Sequence, residues 1–167
     1  MSRVRAFVSF LMVLMLVLSG CSKRKQTKPT RRQLHAKFAL GEKRRAKAKD
    51  DIAEVVFRRM FASNYSIRKA KYYYLSVDGN DPNERLMSRF HSNKPKVLQA
   101  SKFTRAVRNS EESLRFTVGE ISFYKGKYAV VSGSCYEGPL SAAFYSFVLK
   151  RHKGRWIIKS RRLTMWS

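Results

Sequence analysis

Leu114-Arg115-Phe116-Thr117-Val118-Gly119-Glu120-Ile121-Ser122-Phe123-Tyr124-Lys125-Gly126-Lys127-Tyr128-Ala129-Val130-Val131-Ser132 is the stretch that decides the class of fold. Leu114, Phe116 and Val118 alternate with Arg115 and Thr117, the two-residue period of a strand with one face buried. The run continues through Ile121 and Phe123 to Lys125-Gly126, a tight connection, after which Tyr128, Val130 and Ser132 oppose Ala129 and Val131. Two long strands about a short turn make an antiparallel hairpin. Working outward, Glu137-Gly138-Pro139 leads into a long strand, Ser141–Arg151. Ala143, Tyr145, Phe147 and Leu149 share one face of it; Phe144, Ser146 and Val148 share the other. His152-Lys153-Gly154 turns that strand into a last one from Arg155 through Trp166. Strands apolar on both faces are unusual in an open meander. They lead us to expect a strongly curved sheet wrapped around a helix.

Upstream, Ile52, Val55, Val56 and Met60 recur at helical spacing, Phe57 and Phe61 widen the stripe, and Arg58 and Arg59 stand opposite. The spacing predicts a helix with its core at Lys43–Ala62, Leu34 and Phe38 on an earlier turn, and a stop at Ser63-Asn64. Lys71–Val77 reads as a strand with Tyr73, Leu75 and Val77 on one side, closed by the turn Asp78-Gly79-Asn80. Asp81-Pro82-Asn83-Glu84 has the form of a helix start, with Asp81 as cap and Pro82 at the first helical position. Leu86, Met87 and Phe90 follow, and Val97–Phe103 reads as another strand. The class is α+β: a long N-terminal helix on a strongly curved, mostly antiparallel sheet.

The chain has 167 residues with 36 Lys plus Arg against 11 Asp plus Glu, a formal charge of +25. That length suits one ordinary domain, and an apolar fraction of 44% excludes a wholly disordered chain. No repeat is present, which excludes a solenoid. Arg3 and Arg5 precede Ala6–Leu18, apolar but for Ser9 and too short for the ~20 residues of a spanning helix. A basic start and a short apolar stretch read as an export signal. Leu18-Ser19-Gly20-Cys21 at its end resembles the bacterial lipobox. The resemblance implies a lipoprotein: signal 1–20 removed, Cys21 acylated, and the membrane as partner through its acyl chains. Two or three chains, each gaining ~0.8 kcal/mol per buried methylene, suffice for stable anchoring. With Ser22 next, that family goes to the outer membrane, facing the periplasm, in a Gram-negative host; otherwise it stays on the single membrane.

Ser22–Arg32 has no apolar residue, and from Ser22 to Lys49 Glu42 is the single acid. We expect a basic tether at 21–40, lying against anionic headgroups or acting as a solvated spacer, and a single domain at 41–167. The order of helix, strand, short helix, strand and four further strands resembles the cystatin-like and nuclear-transport-factor-two-like families, whose curved sheet folds around one helix into a cone. A closer likeness is to uncharacterised bacterial envelope proteins with three shared features: a Tyr-rich strand before Asp-Gly-x-Asp-Pro (Tyr72–Leu75, Asp78–Pro82), a Gly-rich turn (Gly133–Gly138) and a closing Gly-x-Trp strand (Gly154–Trp156). That group implies paired cysteines near the Gly-rich turn. Here Cys135 stands alone there, and its place between Ser134 and Tyr136 points to burial.

The sequence contains no phosphate loop, nucleophile elbow or cofactor motif, and His35, His91 and His152 lack the spacing of a metal site. Asp78 and Asp81 are explained by turn and capping duties. The candidate polyanion-binding residues are Lys150, Arg151, Lys153 and Arg155 about one hairpin and Lys159, Arg161 and Arg162 on the last strand, with Arg58, Arg59, Arg68, Lys69 and Lys71 around the helix end. The expected function is therefore non-enzymatic: a membrane-anchored envelope module that binds a small apolar ligand, a protein partner or an anionic lipid or polymer. One alternative is a cone-pocket enzyme using an inward Glu120, which continues the phase of Leu114, Phe116 and Val118, beside the acids Asp50, Asp51, Glu54 and Glu137. Another is a basic nucleic-acid binder with stacking Tyr and Phe; export argues against nucleic acid as partner.

Overall fold

The computed structural model describes residues 30–63, 70–108, 112–138 and 141–166. The signal, Cys21, most of the basic tether, Asn64, Arg68, Lys69 and Pro139 lie outside them. The chain divides into two compact units, Met1–Ala39 and Leu40–Ser167. In the first, the chain is helical from Arg31 onward, so 31–39, assigned to the tether on composition, is helix; Phe38 stands 72% exposed.

The second unit is α+β, one helix on a six-stranded mixed sheet. Helix α1 (Arg31–Phe61) buries Ile52, Ala53, Val56, Phe57, Met60 and Phe61 and leaves Arg58 and Arg59 exposed, as its periodicity requires. Strand β1 (Tyr72–Val77) is followed by a one-turn helix α2 (Glu84–Met87), a 3-10 turn (Ser88–Phe90) and β2 (Lys96–Gln99). A second 3-10 turn (Ala100–Lys102) and α3 (Arg105–Arg108) lead to β3 (Ser113–Tyr124), β4 (Tyr128–Gly138), β5 (Ser141–His152) and β6 (Arg155–Trp166). The strand order is β2-β1-β3-β4-β5-β6.

Strand β1 runs parallel to both neighbours, β2 and β3, because each connection crosses over through helical turns. The remaining three pairings are antiparallel hairpins. The last hairpin turns on Lys153 (φ 46) and Gly154 (φ 81), both left-handed, a twist that matches that of the paired strands.

The core is the layer between α1 and one face of the sheet. Phe61 packs at 4.7 Å from Tyr73 and 4.9 Å from Phe116, while Phe57 meets Phe90 edge-on at 6.1 Å. Burying each such side chain stabilises the fold by about 1.5–3 kcal/mol. Gly133, on β4 opposite Val118, leaves the space into which Met60 and Phe147 fit.

Five expectations need correction. Val97–Phe103 is strand only as far as Gln99, Ala100–Lys102 being a 3-10 turn. The sheet is not strongly curled. It stays open between edges β2 and β6, and its second apolar face remains outside, where Val130, Phe144, Ile157 and Met165 are exposed instead of being wrapped around the helix. Gly133–Gly138 belongs to β4 rather than to a turn. Asp81 does not cap α2; Asn83 does, its side chain accepting from the Leu86 N–H at 2.9 Å. Asp81 instead accepts from the Ser101 N–H at 2.8 Å in the second 3-10 turn, and hydrogen bonds from the Ser101 side chain first and its backbone second hold the carboxyl below the usual range. Glu120 is exposed. A register shift between Val118 and Ile121 inserts Gly119-Glu120 as a bulge, which returns Ile121 to the core and turns the carboxylate out.

Candidate functional site

In an antiparallel meander, alternate turns fall at the same end. The β3–β4 and β5–β6 turns therefore adjoin: Tyr128 pairs with Lys150, and the Arg151 N–H donates to the Lys127 carbonyl at 2.7 Å. Lys125, Lys127, Lys150, Arg151, Lys153 and Arg155 gather there. Helix α1 adds Arg44 and Arg45, which with Ala48, Phe123, Gly126, Arg151 and Trp156 line a hollow of about 440 Å³. The Arg45 guanidinium lies 5.6 Å over the Phe123 ring, and Phe123 lies 5.9 Å from buried Trp156. The tilted ring pair forms the floor, and the guanidinium lies over the Phe123 face.

None of these eight cations has an acidic partner among the described residues. Asp50, Asp51, Glu54 and Glu112 are engaged elsewhere, and Glu42, exposed on α1, makes no ion pair with Arg44 or Arg45. Asp50, 5% exposed, accepts from Asn83 Nδ2 at 3.0 Å and Arg85 Nε at 2.6 Å. Asp51 and Glu54 each hold Arg89 at 2.9 Å, raising its pKa against the opposing effect of burial, and Glu54 also binds Arg58. Lys71 pairs with Glu112. The three helix carboxylates thus tie the segment Asn83–Arg89 to α1, and Glu120 is outside, so among the described residues no inward carboxylate joins a histidine. His35, His91 and His152 are exposed and apart, and among the described residues no group of three or more His, Cys, Asp or Glu is placed to hold a metal ion.

The seven predicted cations do not form one stripe. Lys150, Arg151, Lys153 and Arg155 share the turn end, Lys150 with its Nζ 5.7 Å from the Tyr128 ring centre. Lys159, at a register shift, and Arg162 lie farther along β6. Arg161 donates to Ser63 Oγ at 2.5 Å and covers Tyr145 at 5.0 Å, beside the other end of α1. Sequence reasoning missed Arg44, Arg45, Lys125 and Lys127. The alternation of hairpin turns points to the two lysines, whereas the two arginines are placed by helix packing alone. Cys135 is a buried thiol, 4% exposed, as expected.

Planar guanidiniums on an aromatic floor, beside ammonium groups, have the chemistry to take phosphate-type anions, since forked N–H donors match two oxygens at once. Among the described residues no helix is long and apolar enough to cross a membrane. Comparison of the chain with protein-family models, curated proteins and solved structures finds no match.

Proposed function

We propose that this chain is a bacterial lipoprotein, anchored by acyl chains on Cys21, whose second unit is a non-enzymatic binding module for anionic headgroups or polymers of the cell envelope. The observation that carries the reading is the acid-free convergence of Arg44, Arg45 and Arg151 on the Phe123–Trp156 floor. Arg44 comes one helical turn after Leu40, where the unit begins. The cationic end is therefore the end from which the chain leads back toward Cys21. Each Lys or Arg near an anionic surface contributes about 1 kcal/mol, so the cluster would hold the unit turn-end down on the membrane that the lipid selects. The location follows the motif: the outer membrane facing the periplasm in a Gram-negative host. We also place the unit with the cystatin-like and nuclear-transport-factor-two-like families; the order of its elements supports this.

The test has two parts. In cells fed a clickable fatty acid, the wild type labels and fractionates with membranes, whereas Cys21→Ala does neither. Released Cys21→Ala protein is then added to phosphatidylglycerol-containing vesicles and compared with the same chain bearing Arg44, Arg45 and Arg151→Gln. Loss of three contacts weakens binding by roughly 100-fold at low salt. Absence of label removes the anchor from the reading; equal vesicle binding removes the cationic end.

A further inference from the structure

A second hollow lies on the sheet face turned away from α1, and it has the makings of a site for a different kind of anion. Two neighbouring cross-strand rows run under it, of which Arg115, Tyr136, Ala142, Thr117, Ser134 and Phe144 line the space. In the first, Tyr74, Arg115, Tyr136 and Ala142 stand in register across β1, β3, β4 and β5. In the second, Ser76, Thr117, Ser134 and Phe144 do the same. Side chains within such a row touch their neighbours. Phe103, following the second 3-10 turn, closes one side, buried at 5.1 Å from Tyr74 and 6.2 Å from Tyr136. Phe144, 41% exposed, stands at the rim. The space enclosed is about 280 Å³.

Arg115 is the unexplained group. Its Nε is buried and makes no hydrogen bond, and no ion pair neutralises its guanidinium among the described residues. Buried donors without acceptors are rare in folded proteins, and arginine cannot shed its proton to escape the difficulty. Nearby hydroxyls do not resolve it: Thr117 Oγ1 is engaged with Ser76 Oγ at 2.9 Å. The side chain is therefore a permanent cation, in register between Tyr74 and Tyr136, in a small, mostly apolar recess.

We infer that this recess is a binding site for a small monocarboxylate with a flat apolar body. The carboxylate lies side-on to Arg115, accepting from Nε–H and one terminal N–H, the bidentate arrangement this fork favours. The body fits between Phe103 and Phe144 as an offset ring would. The volume falls just below the ~300–1,000 Å³ of pockets for drug-sized ligands, which restricts the class to molecules of about one ring. A bare inorganic anion would leave the aromatic wall unused. This recess shares no residue with the cationic turn end and stands apart from the anchor.

The experiment is an NMR titration of the full chain, following the Arg115 Nε–Hε cross-peak, with benzoate, 3-phenylpropionate, benzamide and inorganic phosphate as probes. A carboxylate is expected to shift that peak saturably, with benzamide and phosphate weaker by roughly 10- to 100-fold, the range for a hydrogen bond to a charged group. Arg115→Gln should weaken benzoate by a similar factor, read by the Phe144 ring signals, whereas Arg151→Gln leaves it unchanged. Phe144→Ala, at an exposed position that folding does not depend on, should also weaken benzoate and keeps the test open if Arg115→Gln fails to fold. Equal shifts from benzoate and benzamide, phosphate binding as tightly as benzoate, or no saturable shift with either carboxylate would each overturn the site.

Discussion

Gly133→Ala tests how closely α1 sits on the sheet. A Cβ at residue 133 would lie 2.9 Å from Met60 Sδ and 2.9 Å from Phe147 Cε2. Carbon contacts settle at about 3.5–4.0 Å, so both neighbours must yield by more than half an ångström. Met60 is flexible at its tip; Phe147 is not, being a fully buried ring in the middle of β5. Overpacking of this kind costs about 1–3 kcal/mol. For a domain of this size, that corresponds to a fall in Tm of roughly 4–12 °C. Urea denaturation with tryptophan fluorescence gives the free energy, and calorimetry gives the Tm. A companion variant, Gly119→Ala, meets only the Ser132 side chain, which is exposed and free to rotate away, and should cost less. Met60→Ala opens the space, so Gly133→Ala made in that background should be less damaging than in the wild type, a coupling that a double-mutant cycle measures. If Gly133→Ala is neutral, or if its cost is the same with and without Met60, the helix does not seat at Gly133 and the packing argument fails.

Other perturbations have equally direct readouts. Asp50→Ala removes the acceptor of Asn83 and Arg85 and should lower stability by about 1–3 kcal/mol in urea titrations, without changing the m-value. Burial, with a smaller contribution from Cys135, pushes the Tyr73 phenol up to about 12 from its usual 10. The unfolded chain ionises first, so the folded state holds the extra proton, and stability falls as pH rises from 10 toward 12 by about 2–3 kcal/mol. Tyr73→Phe should lose that component of the alkaline decline, seen as a smaller difference between denaturation midpoints at about pH 9 and pH 11; an unchanged difference would mean the phenol is not the group responsible. Gly154→Ala, at φ 81, should be strained and destabilise the β5–β6 hairpin by about 1 kcal/mol, measured as amide-exchange protection lost first in β6.

The sequence shows those parts of the fold that periodicity encodes and hides those that tertiary register decides. The stripe Ile52–Phe61 repeats over enough turns that its buried face could be assigned residue by residue. Simple alternation puts Phe116 with Leu114 and Val118, and Phe147 with Tyr145 and Leu149, but cannot say which face of the latter strand turns to the helix. The same alternation misplaced Glu120, because a bulge at Gly119-Glu120 changes the phase without altering the local pattern. The cap moved from Asp81 to Asn83 for a related reason: both residues suit the role, and a contact with Ser101, twenty positions away, decides between them. The apolar outer face was visible in Phe144 and Val148, but alternation cannot tell whether a second apolar face is wrapped or left outside. For the site, Lys150–Arg155 was legible as a hairpin, whereas Arg44 and Arg45 join it only through the packing of α1 against Phe123.

Strand β6 forms one margin of the sheet, and along that margin its backbone groups face no partner strand among the described residues. An unpaired strand of that length invites a second copy to add itself edge to edge. Lys159, Arg161 and Arg162 sit on that border, and two borders brought together would confront six positive charges. Repulsion at that distance acts as a guard against polymerisation, and it weakens when ions are dense enough to shrink the screening length to about 3 Å, near 1 M salt. This basic border therefore sets the concentration of salt and protein at which these molecules remain separate.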